Sequence, residues 1–133
     1  MSASRSLVAA VLAALRGDAA LVAVLADRLW DGAPRDPGFP HLVVDEAVAR
    51  DRSGLDAELE EVRLTLKIFS RAGGTAEAGR LAERVETVLA AAALAPVGVR
   101  VVLLRREASE TRLARDRRTA EATLRLVALT EPA

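Results

Sequence analysis

The sequence predicts an α+β domain: a two-layer sandwich of element order α-α-β-β-α-β-β, with a four-stranded, mostly antiparallel sheet carrying its helices on one face. Three observations predict it. Apolar residues recur at helical spacing near the N-terminus and again after Gly73-Gly74. Strict apolar–polar alternation runs from Val62 to Phe69. The 133 residues, 51% of them hydrophobic, suffice for one core and not for several. The chain therefore reads as a single domain over residues 1–133.

In the first helix Leu7, Val8, Val11, Leu12 and Leu15 line one face, with Ser4 or Ser6 as N-cap and Gly17 as the stop. Asp18 caps a short second helix carrying Leu21, Val22, Val24 and Leu25, expected to end near Asp27-Arg28. Three prolines and two glycines between Asp31 and Pro40 make an irregular connection. The first strand, His41–Val48, puts Leu42, Val44 and Val48 on one face, and Arg50–Asp56 reads as a polar hairpin tip. In the second, Glu58–Ser70, Val62, Leu64, Leu66 and Ile68 point inward while Arg63, Thr65, Lys67 and Phe69 point outward. Thr75 begins a long helix to about Ala92, its stripe formed by Ala78, Leu81, Ala82, Val85, Val88 and Leu89. Pro96 ends that element. A third strand covers Val97–Glu107 with Val97, Val99, Val101 and Leu103 inward. The fourth covers Ala120–Leu129, with Ala122, Leu124 and Leu126 inward and Glu121, Thr123 and Arg125 outward. Arg105–Arg118 between them reads as a long charged hairpin.

Composition offers little chemistry. Nineteen basic residues balance nineteen acidic ones, so no global field exists to hold nucleic acid or an anionic membrane. Eighteen of the nineteen bases are Arg, a residue suited to bidentate contacts. Without Cys there is no disulfide scaffold, thiol nucleophile or cysteine metal site. His41 is the only histidine and no G-x-S-x-G elbow occurs. Asp51–Asp56 lacks the alternating ligands of a calcium loop, and Ser70–Glu77 matches neither phosphate-binding glycine pattern. The second helix offers no polar side chains to a DNA groove. The residues thus point to no enzyme, no metal and no cofactor. The apolar run Leu7–Leu15 is too short to span a bilayer and reads as a packed helix, which leads us to expect a protein made and kept in the cytoplasm.

The least ordinary segment is Arg105–Arg118, where six arginines face three acids. It fits a solvated tip, a salt-bridged surface between subunits, or a nonspecific contact with DNA phosphates. The expected assembly interface sets Arg112, Arg115, Arg117 and Arg118 against acidic positions such as Asp56, Glu58 and Glu60 of another subunit. Trp30 and Phe39 flank the Pro-rich loop and either pin it to the body or form a partner-binding hot spot.

Three stretches, Leu7–Asp45, Leu64–Ala92 and Ala122–Ala133, form a pattern of helix pair, Pro-rich loop, F-S-R-A-G-G entering a helix, and a closing T-E-P. The pattern resembles the small tail-completion, or tail-terminator, proteins of long-tailed phages and of the phage-like gene transfer agents of α-proteobacteria. Val99–Arg118 lies outside the resemblance, so the role expected of its arginines comes from their charge alone. The resemblance implies a structural virion protein that forms a ring, a homo-hexamer, on the head-proximal end of the tail tube. Such a ring stops tube polymerisation and contacts the tail tube protein and the head–tail connector, while DNA passes through its lumen unread. It also implies assembly in the bacterial cytoplasm, and the family has no catalytic motif to carry over. Two other classes fit less well: a head–tail connector or neck subunit, and a small cytoplasmic α+β binding module or enzyme.

Overall fold

A computed structural model describes residues 2–133. The elements are α1 (Ala3–Arg16), α2 (Ala19–Leu25), β1 (Leu29–Trp30), β2 (His41–Asp51), β3 (Glu60–Ser70), α3 (Ala76–Ala91), β4 (Val99–Leu113) and β5 (Ala120–Pro132). The strands form one sheet in the order β1-β2-β3-β5-β4. Only β1 pairs in parallel, with β2; the other three pairings are antiparallel. The sheet is therefore five-stranded and mixed, where four strands were expected. The added strand is Leu29–Trp30, two residues that carry no alternation pattern to read.

The helices cover one face. Leu7, Val11 and Leu15 of α1, Leu21 and Leu25 of α2, and Ala78 and Val85 of α3 are fully buried against Val62, Leu64, Leu66, Ile68 and Leu124. The alternation in β3 is thus realised residue by residue. Ser2, and not Ser4 or Ser6, caps α1 by accepting the Arg5 N–H, while Asp18 caps α2 through the Leu21 N–H at 3.0 Å. α2 stops at Leu25 because Ala26 turns to φ +54. One bidentate ion pair ties distant segments together: Arg84 of α3 donates twice to Asp18, at 2.9 and 2.6 Å, and the pair depresses the Asp18 pKa.

Bulges account for most departures from the expected strands. β2 runs on to Asp51, and a bulge between Val44 and Glu46 brings Val48 opposite Arg63, onto the open face. β4 runs to Leu113, so the expected long hairpin shrinks to the turn Ala114–Thr119. Irregularities at Val101/Leu103 and Arg106/Ala108 shift its facing twice, which leaves Leu103 exposed although it was expected inward. Val97 precedes the strand and is 73% exposed. Thr123 does point to the open face but is buried, flanked there by its cross-strand partners Lys67 and Glu110.

Candidate assembly surfaces

The antiparallel order puts two charged groups at opposite ends of the sheet. The C-terminal end of β4 and the start of β5 meet at one end; the end of β2 and the start of β3 meet at the other. β3, with 11 residues, spans about 36 Å between them.

At the first end the Ala114–Thr119 turn is closed by Thr119 and Ala114 at 2.7 Å and held by Asp116. The Asp116 carboxylate accepts the Arg118 N–H and the Thr119 N–H, each at 2.9 Å, and the Thr119 hydroxyl at 2.8 Å. Three donors to one carboxylate, led by the Thr119 amide, lower its pKa to about 2. Arg117 sits at φ +62, the left-handed conformation that reverses the chain. Arg112 lies opposite Glu121, but Glu121 is held by Lys67 at 3.0 Å. Among the described residues none of Arg112, Arg115, Arg117 and Arg118 is within ion-pair distance of a carboxylate. Three of these four are therefore presented by a turn whose own acid, Asp116, is fully engaged.

The same end holds every aromatic residue of the chain. His41 lies at the centre, 5.0 Å from the Phe39 ring, 5.8 Å from Trp30, and stacked on Phe69 at 5.0 Å. Arg71 covers Phe39 at 4.2 Å and donates to the Thr119 hydroxyl, which links the cluster to the turn. Nδ1 of His41 is 2.8 Å from the Gly38 carbonyl and so carries the proton. Burial holds the imidazole pKa below its ordinary value. Trp30 and Phe39 both pack against His41, and each residue is half-buried.

At the opposite end the Arg52–Leu59 loop carries Asp56 and Glu58, and β3 begins with Glu60. None of the three has an ion-pair partner among the described residues. Glu58 and Glu60 line a cleft of about 370 Å³, to which the ends of β2 and β5 add Asp51 and Glu131. Sequence reasoning missed Asp51 and Glu131 because strand register brings them there. Glu61 belongs to the fold instead: Arg52 and Arg63 each donate to it at 2.7 Å and hold its carboxyl below the usual range. Leu55 stands wholly exposed at the loop tip.

The described residues hold no group of three or more potential metal ligands. What the geometry of the described residues offers is an α+β body with unpaired arginines at an aromatic-flanked end of the sheet and unpaired carboxylates at the other. The family model described as Tail completion protein gp17 matches residues 9–131, and the chain belongs to that family. It is accordingly a structural protein of a phage-like tail. No curated protein matches the sequence. Among solved structures, a chain in the virion of a native gene transfer agent particle superposes with a TM-score of 0.87 at 23% identity. The match covers 98% of this chain and 99% of that one, so the fold is shared essentially end to end.

Proposed function

We propose that the protein is the terminator of a phage-like tail, a subunit of the ring that closes the head-proximal end of the tail tube and joins it to the head–tail connector. The ring is a hexamer, it belongs to a virion of the gene-transfer-agent type, and it assembles in the bacterial cytoplasm. Within a tail-completion domain, one observation carries this reading: among the described residues Arg112, Arg115, Arg117 and Arg118 at one end of the sheet and Asp56, Glu58 and Glu60 at the other have no ion-pair partner. A protein standing between tube and connector needs two different docking surfaces. Arg112, Arg115, Arg117 and Arg118 supply one, bordered by Trp30 and Phe39; Asp56, Glu58 and Glu60 supply the other. Arginines and acids that lie about 36 Å apart on one sheet face different neighbours, so each set meets its complement on another chain.

The role needs shape and side-chain complementarity and no reaction chemistry. A chain with zero formal net charge also suits the wall of a channel through which DNA passes, since a strongly basic lumen would retain the phosphate backbone. Membership of a tail-completion family favours the terminator over a connector subunit.

The experiment reverses Arg115 and Arg117 to Glu in particles that depend on this chain. Unattached heads and tails of uncontrolled length are expected by electron microscopy. Normal tails joined to heads would refute the assignment of the basic end.

A further inference from the structure

Both margins of the sheet leave backbone unpaired. β4 pairs only with β5, and β1 covers β2 only at Leu42 and Val43, so β2 is open from Asp45 to Asp51. The two open stretches differ in charge. Val99–Arg106 carries Arg100, Arg105 and Arg106 and no acid; Asp45–Asp51 carries three acids and one base, Arg50. Each has an apolar middle: Val101-Val102-Leu103 on β4, with Val102 and Leu103 exposed, and Ala47-Val48-Ala49 on β2. Beside β4 runs a groove of about 280 Å³ against the C-terminal end of α3, lined by residues such as Leu89, Ala92, Leu94, Val101 and Leu104. All its lining residues are Ala, Val or Leu, so every polar atom it presents belongs to the main chain. α3 ends there with no basic residue in its last turn.

We propose that the β4 edge of one copy pairs with the β2 edge of the next, so that the sheet continues from subunit to subunit. The proposal rests on the ring reading above and supplies its lateral contact. Both open stretches lie at the acidic end of the sheet, so copies standing side by side in the same orientation bring them together, antiparallel. Setting Val48 opposite Leu103, with Val102 bulged, keeps Ala47 and Leu104 together on the helix-bearing face and sets Glu46 opposite Arg105 and Asp51 beside Arg100. Arg105, Asp45 and Glu46 have no ion-pair partner among the described residues; Arg100 keeps Glu131 and Arg106 keeps Glu86. One like-charged pair results, Arg50 opposite Arg100, with Asp51 and Glu131 beside it. The alternatives are worse. Joining β4 to β4 would gather three arginines beside three with no acid between them, and like charges across a ladder destabilise it. Joining β2 to β2 about Val48 would set Asp45 against Asp51 twice and so cancel the two Glu46–Arg50 pairs it gains. A β4–β2 contact is heterologous, the kind that closes a ring when the rotation permits.

The chain has no native cysteine, which makes a cross-linking test clean. Directly opposed residues of an antiparallel pair lie within disulfide range. The double variant V48C/L103C, oxidised as purified protein and again in particles, should give a ladder of linked species ending at a closed ring. V48C alone and L103C alone should give none. Adding R105E should cut the linked yield roughly fivefold, the change a cross-strand pair of about 1 kcal/mol carries, and E46K together with R105E should restore it. Dimers from L103C alone would overturn the proposal, as would ring-bearing particles in which V48C/L103C stays unlinked. The two readings separate cleanly: linked rings on unattached tails would sink the terminator role and leave the contact standing. Unlinked rings on attached tails would do the reverse.

Discussion

Replacing Leu21 by Ala tests how the helical layer is held. α2 has seven residues, too few to be stable alone, so its persistence depends on burial of Leu21 and Leu25, both fully enclosed. Val22, its neighbour, is 39% exposed and serves as the control. A fully buried Leu truncated to Ala loses its transfer free energy and leaves a cavity, together about 3 kcal/mol or more. That is a large share of the roughly 5–15 kcal/mol that stabilises a domain. With unfolding entropy near 2.1 cal/mol/K per residue, a 133-residue chain should lose about 11 °C in Tm for about 3 kcal/mol. Val22→Ala should move Tm by no more than a degree or two. Urea unfolding followed by far-UV circular dichroism and by fluorescence of Trp30, the one tryptophan, gives the free energies and checks that the two probes coincide. A Leu21→Ala loss no larger than that of Val22→Ala would refute the packing of α2 described here.

Two further predictions follow from perturbed acids and bases. Burial lowers the His41 pKa, so the unfolded chain binds the proton more readily; stability is intact above about pH 6.5 and falls as the pH drops below that value. Urea midpoints at pH 5, 6 and 7 should decline on acidification in the native chain and stay level in His41→Phe, and equal slopes would count against a buried neutral imidazole. Asp116 has its pKa depressed to about 2, so its contribution to the turn is complete above the ordinary carboxylate range near pH 4 and is lost as the pH falls through 2. Its carboxyl resonance should titrate near pH 2 by NMR, and a midpoint near 4 would mean that the Arg118 and Thr119 hydrogen bonds are not formed in solution.

The helices, β3 and the inward face of β5 were legible because each repeats one period over enough residues to reveal its buried face. β1 was illegible for the opposite reason: two residues make no period, and only the parallel pairing of Leu29 with Leu42 defines it. In β2 and β4 the alternation is interrupted by bulges, and a period-2 reading carried through Asp45 or Val102 assigns later residues to the wrong face. The charged groups were legible as residues but not as surfaces. Arg112 to Arg118 and Asp56 to Glu60 stand out by composition, whereas the recruitment of Asp51 and Glu131 to the acidic cleft depends on register across β2, β3 and β5. The aromatic cluster had a similar status. Trp30, Phe39 and Phe69 are far apart in sequence, and the one-to-one pairing of His41 with Phe69 is what gathers them.

The arrangement of the arginines links stability to assembly. Arginine closes on two of the shielded acids, Arg84 twice on Asp18 and Arg52 with Arg63 on Glu61, while Lys67 holds Glu121. Such paired, multidentate contacts suit guanidinium and would be poorer with lysine. They neutralise these shielded acids and leave Arg112 to Arg118 and Asp56 to Glu60 without ion-pair partners among the described residues. Like charges gathered at an end repel one another, a cost the free subunit bears and a docked one sheds. On the proposed ring reading the basic turn would meet an acidic surface and the cleft at the far end a basic one, whereas at the margins one copy would carry both members of the pair.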